Sequence, residues 1–184
     1  MKQKEIEEIL SQLGIEIYSF AYILIPDDLQ AHQIVVDSIG ALIITKKEYL
    51  DSLIQIKKVF FENEKQYLKL QLYKNVYDLS RKRVFQIKKS IDSESFTTLA
   101  NIFYKLEFDE KALLYLKDKK KWNTIDLEFI CSKNKAELLS ILYAARFKLN
   151  DSLALLEQSD LNKGKNHDLL TSHLNPSIQL SNEV

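Results

Sequence analysis

Glycine, proline and cysteine are all scarce in this chain of 184 residues, which holds three, two and one of them. So few glycines and prolines exclude a turn-rich β-sandwich, where every chain reversal consumes them. A single cysteine excludes both a disulfide scaffold and a cysteine-built zinc site. No apolar run reaches the roughly 18 residues that a bilayer crossing demands. The start, Met1-Lys2-Gln3-Lys4-Glu5, turns acidic and amphipathic where a signal peptide would open its apolar core. The expected location is the cytoplasm. What is present is 46% hydrophobic and 28% charged residues, a globular balance, and with turn formers missing the expected fold class is all-α.

Catalytic groupings are missing as well. His32, His167 and His173 include no pair at the helical spacing of a metal site, so no metal and no cofactor is expected. Gly14, Gly40 and Gly164 are isolated and make no phosphate loop. Cys131 has no neighbouring histidine to activate it, and a buried structural thiol is the expectation. Nothing in the pattern points to an enzyme.

Net charge is zero, from 26 basic and 26 acidic side chains, but the distribution is uneven. Residues 1–64 carry 6 Lys/Arg against 11 Asp/Glu, whereas residues 65–90 carry 8 against 1 and residues 132–150 carry 4 against 1. Two positive islands separated by neutral or acidic chain suit contact with a polyanion at two places. The plain alternative is a pair of solvated helix faces.

Apolar spacing then sets the elements. Ile6, Ile9, Leu10 and Leu13 mark a first helix with a stop at Gly14, and Ile15 to Ile25 a buried helix closed by Pro26. Asp27 or Asp28 caps a third, carrying Leu29, Ile34, Val35, Ile39 and Leu42. The longest helix is expected over about residues 62–89, with Tyr67, Tyr73 and Tyr77 inward and the positive island outward. Ser90 to Ser95 reads as a linker. Beyond it Asp109 caps a helix with Ala112 and Leu113, and Ile125 to Ile130 forms a short helix. After the turn Cys131-Ser132-Lys133, a long helix repeats Leu138, Leu142, Ala145 and Leu149, capped by Asn134 with Glu137. The expected organisation is a helical bundle over 1–89, a linker over 90–95, a helix-turn-helix domain over 96–157 and a flexible tail over 158–184.

The order of these pieces over residues 5–150 resembles the extracytoplasmic-function sigma factors of bacterial RNA polymerase. Ala31-His32-Gln33-Ile34-Val35-Val36-Asp37 stands where that family has an Ala-Glu-Asp-x-x-Gln-Glu helix docked on the polymerase clamp. Tyr67-Leu68 and Asp78-Leu79-Ser80-Arg81-Lys82-Arg83 are similar to its Trp-Leu helix and basic run along the melted minus-ten strand, with Asn75 one place from the family's asparagine and Lys74 in its register. Leu138 to Leu149 resembles Val-Lys-Ser-Arg-Leu-x-Arg-Ala-Arg-x-x-Leu of the recognition helix. Three family cations fall there on Leu139, Ile141 and Ala144.

The resemblance implies a promoter-directing subunit of core RNA polymerase, with promoter DNA and an anti-sigma factor as its further partners. Gln33 and Asp37 would meet the polymerase. Tyr67, Lys74, Asn75, Arg81, Lys82 and Arg83 would handle the melted strand, by stacking and by phosphate contact. Lys133, Asn134, Lys135, Glu137, Ser140 and Arg146 would face the upstream major groove. The rival expectation is a sigma-like protein-interaction module, motivated by the apolar drift at Val36, Leu139 and Ile141; exposure of those side chains would favour a protein partner.

Overall fold

The computed structural model describes residues 3–55, 62–87 and 98–172, and every element among them is helical. In chain order these are α1 (Gln3–Leu24), α2 (Asp28–Thr45), α3 (Lys47–Gln55), α4 (Glu62–Ile87), α5 (Thr98–Tyr104), α6 (Phe108–Leu114), a π-helical turn over Tyr115–Lys119, α7 (Thr124–Cys131) and α8 (Lys135–Ser172). The all-α class is therefore observed among these residues. The expected linker over 90–95 lies outside them, as do residues 173–184. No helix among the described residues is long and apolar enough to cross a membrane.

The stop expected at Gly14 is not there. α1 runs through the glycine and buries Ile6, Leu10, Leu13, Ile17, Phe20 and Leu24, steps of three and four that keep one stripe inward. A Cβ on Gly14 would lie 3.2 Å from Ile39 Cδ1 and 3.7 Å from Val35 Cγ1 of α2. The residue thus serves close helix approach, which offsets the roughly 1 kcal/mol that glycine costs inside a helix. α1 ends before Pro26, and Asp27 caps α2 by accepting the Gln30 N–H at 2.8 Å, a contact of about 1 kcal/mol.

α4 is the central helix and packs against α1, α2 and α7. Leu68, Leu72, Tyr73, Val76, Tyr77 and Ser80 are all buried on it, more than one face of its circumference. That geometry overturns the expectation of an outward positive island: Lys69, Lys74, Arg81 and Arg83 lie half-buried between α4 and its neighbours. Lys82 is exposed.

An aromatic seam joins α1 and α4 to the chain beyond residue 98. Phe20 lies 5.3 Å from Tyr73 and 5.5 Å from Tyr115 between ring centroids, Tyr73 lies 5.0 Å from Trp122, and Tyr77 lies 5.3 Å from Phe108. The helices on the two sides of residues 90–95 consequently share one cluster of buried side chains.

α7 ends at Cys131 and is followed by Ser132, whose φ of 53° is left-handed, a conformation costing a non-glycine residue roughly 1 to 2 kcal/mol. The next helix is capped as expected: Asn134 Oδ1 accepts the Glu137 N–H at 3.0 Å, and Glu137 Oε2 accepts the Asn134 N–H at 2.9 Å. Leu138, Leu142 and Ala145 are buried. α8 is the longest described helix and continues to Ser172, where a flexible tail is expected from 158. No proline lies between Pro26 and Pro176, so helix propensity carries α8 onward past Gly164.

Candidate nucleic-acid interface

Asp109 of α6 is where Tyr77 and Arg81 of α4 meet Lys133 of the turn before α8. The cap position belongs to Glu107 instead, whose N–H donates to Oε2 of Glu110 three residues on, at 2.9 Å. That frees Asp109 to face α4, where its Oδ1 accepts the Tyr77 hydroxyl at 2.6 Å and its Oδ2 accepts Arg81 Nη2 at 3.0 Å. Lys133 Nζ, from the turn before α8, stands 3.2 Å from the same Oδ2. Burial pushes ionisation of the Tyr77 hydroxyl upward, and the hydrogen bond to Asp109 adds to it, so this phenol stays a donor.

Lys74 closes a second link between α4 and the same turn. Its ammonium donates to Ser132 Oγ at 2.7 Å, pairs with Asp78 at 3.5 Å and lies 5.5 Å from the Phe129 ring centroid. The bond to Ser132 helps compensate that residue's left-handed backbone. Cys131 sits beside these charges, buried, and its thiol is pushed up to about 12, first by burial and then by Asp109. Burial holds it as a neutral thiol while the junction is closed.

Of the other residues expected at the melted strand, Tyr67 is half-buried, 5.0 Å from Tyr49 between centroids and 5.9 Å from the Lys46 ammonium. Asn75 is turned to α2, donating to the Ser38 carbonyl at 3.1 Å. Arg83 donates to Gln30 Oε1 at 3.2 Å and pairs with Asp37 at 3.5 Å. Asp37 also accepts Gln33 Nε2 at 2.7 Å, so the structure brings an expected DNA contact and both expected polymerase contacts into one network. Tyr73 and Tyr77, fully buried, are core side chains and not base platforms.

On α8, Asn134 and Glu137 are engaged in the cap, while Lys135 and Ser140 are exposed. Arg146 is held by Asp118 of the π-helical turn, at 3.2 and 2.5 Å. The outward side carries an apolar row one turn apart: Leu139 at 39%, Tyr143 at 67% and Phe147 at 73% exposure. Ile141 is half-buried and packs on the core.

Two acidic residues with structural weight escaped sequence reasoning. Asp109 looked like a cap. Glu16 pairs with Lys69 at 2.6 Å and Lys120 at 3.6 Å; burial opposes its ionisation, but the two lysines prevail and hold the carboxyl below its usual range. Neither carried a local signal, since their partners are remote in sequence. Among the described residues no group of three or more His, Cys, Asp or Glu is placed to hold a metal ion. Compared against models of protein families and against curated proteins, the chain matches none of either.

Proposed function

We propose that the protein is a divergent sigma-type subunit, without catalytic activity of its own, that binds bacterial core RNA polymerase and directs it to promoter DNA. The observation that carries this reading is the outer face of α2. Leu29, Val36 and Ile43 are exposed there at intervals of seven residues, with Val36 at 62%, and exposed Gln33 lies beside them. A sevenfold apolar row on a solvent-facing helix is a seam into which another helix packs, and its middle residue, Val36, falls in the segment 31–37 that resembles the family's clamp-docking helix. α7 and α8 supply a helix-turn-helix unit whose Lys135 and Ser140 face solvent.

The test is association with core polymerase. The chain co-elutes with core enzyme at low salt, and Val36→Glu, which changes only an exposed side chain, weakens that association at unchanged thermal stability. Failure of the native chain to associate overturns the reading.

A second reading, a sigma-like module that engages a protein partner instead of a promoter, is favoured by the exposure of Val36 and Leu139, though not of Ile141, and by the row Leu139, Tyr143 and Phe147. A surface that reads DNA carries cations, and here the outward side of α8 carries an aliphatic and aromatic row between Lys135 and Lys148, while Arg146 is occupied by Asp118.

A further inference from the structure

Three of the cations that sequence assigns to DNA are gathered at one junction and neutralised there. Lys74 and Arg81 come from α4, and Lys133 comes from the turn before α8. Arg81 and Lys133 both close on the Asp109 carboxylate, whose side chain is 18% exposed, while Lys74 is taken by Ser132 and Asp78. A cation already paired with a carboxylate neutralises no phosphate and releases none of the counterions condensed on the nucleic acid, so it adds nothing to binding until a phosphate displaces that carboxylate. Desolvation makes such displacement harder at a half-buried pair than at an exposed one.

We propose that Asp109 is the latch of an autoinhibitory contact, joining α4 to α6 and to the turn before α8 and withholding Arg81 and Lys133 from nucleic acid while it is closed. The inference rests on the reading of these cations as DNA-facing. Opening releases two cations on opposite sides of the junction at once. Nucleic acid, which binds only the open arrangement, therefore shifts the population toward it.

The only cysteine of the chain is a built-in probe of this junction. Cys131 is 2% exposed and lies within the field of Asp109, Lys133, Arg81 and Lys74, so a thiol reagent reaches it only when the junction loosens. The experiment uses the full chain with Asp109→Asn, compared with Asp151→Asn, which makes the same charge change at an exposed site on α8. Cys131 modification and binding to an oligothymidylate strand are measured over a range of salt.

Asp109→Asn is expected to label about tenfold faster than the native chain, the effect of losing a charge-assisted contact. It is expected to bind the strand at least about fivefold more tightly than Asp151→Asn, with a salt slope steeper by about 1.4 for two released cations. Arg81→Gln opens the same latch from the other side while deleting a cation, so it labels faster without tighter binding. Unchanged labelling in Asp109→Asn, or binding no tighter than that of Asp151→Asn, overturns the latch. Faster labelling with no DNA binding by any variant overturns instead the DNA reading of these cations, and the masking role falls with it.

Discussion

Arg146 of α8 grips Asp118 with two nitrogens, Nε at 3.2 Å and Nη2 at 2.5 Å from the two carboxylate oxygens. The hydrogen bond to Asp118 raises the guanidinium's pKa above its ordinary value, and the contact ties α8 to the turn that follows α6. Both side chains remain more than two-fifths exposed, so the pair contributes no more than about 1 kcal/mol. Arg146→Gln should therefore leave thermal stability almost unchanged and leave the salt slope of duplex DNA binding as it is. A slope reduced by about 0.9 would show that the arginine trades Asp118 for a phosphate.

Leu139→Lys separates the two functional readings. Leu139 is exposed beside the buried stripe of Leu138, Leu142 and Ala145, so lysine there should keep the fold, as thermal melting would report. In a promoter-binding protein it adds a phosphate contact and steepens the salt slope of duplex binding by about 0.9. In a protein-docking module it places an unpaired charge in an apolar contact and weakens partner association.

Single replacements on α4 should divide by exposure. Lys82→Ala removes a solvent-facing cation and should lower the salt slope of single-strand binding by about 0.7 at unchanged stability. Arg83→Ala breaks the contacts to Gln30 and Asp37 and should lower stability by roughly 1 kcal/mol. Parallel denaturant curves and salt titrations check both.

Glu16 gives a pH signature. Its folded carboxyl ionises below the ordinary value of 4.5, so the native state binds fewer protons than the unfolded chain as pH falls toward that value. The stabilisation is complete above the ordinary carboxyl range and is lost as pH falls through the folded value. Glu16→Gln should accordingly be less stable near neutrality, by about 1 kcal/mol given partial exposure, and match the native chain in strong acid. Thermal melts across pH measure this; a constant difference at every pH would remove Lys69 and Lys120 as its cause.

Tyr73 is a test of the core. Its ring is fully buried between Phe20 and Trp122, and its hydroxyl lies 3.5 Å from Glu16. Tyr73→Ala should cost about 3 to 5 kcal/mol, the range for deleting a large aromatic ring from a packed interior. Tyr73→Phe should cost far less. Urea unfolding of the two variants checks the order.

Some of this architecture is readable without coordinates because its causes are local. Asp27 before α2 and the Asn134/Glu137 pair before α8 are caps acting over three residues, and both form as their spacing requires. The buried stripe of α8 follows from a period of three and four. Gly14 shows where such reading fails: a glycine ending a helix and one admitting a neighbouring helix look alike, and only Ile39 and Val35 overhead distinguish them. Asp109 fails likewise, because a carboxylate near a helix start serves as a cap only if nothing stronger claims it.

The candidate site divides along the same line. Composition and periodicity are sufficient for a helical class and for where positive charge accumulates along the chain. They do not say whether that charge meets solvent. Arg81 finds Asp109 across 28 positions and Lys74 finds Ser132 across 58, and α4 lies in the middle of the packing with Lys69, Lys74, Arg81 and Arg83 turned to neighbouring elements and Lys82 left in solvent. A side chain's own helix sets its direction, but its ion partner is set by which helices crowd around that face, and that depends on burying Phe20, Tyr73, Tyr115 and Trp122 together.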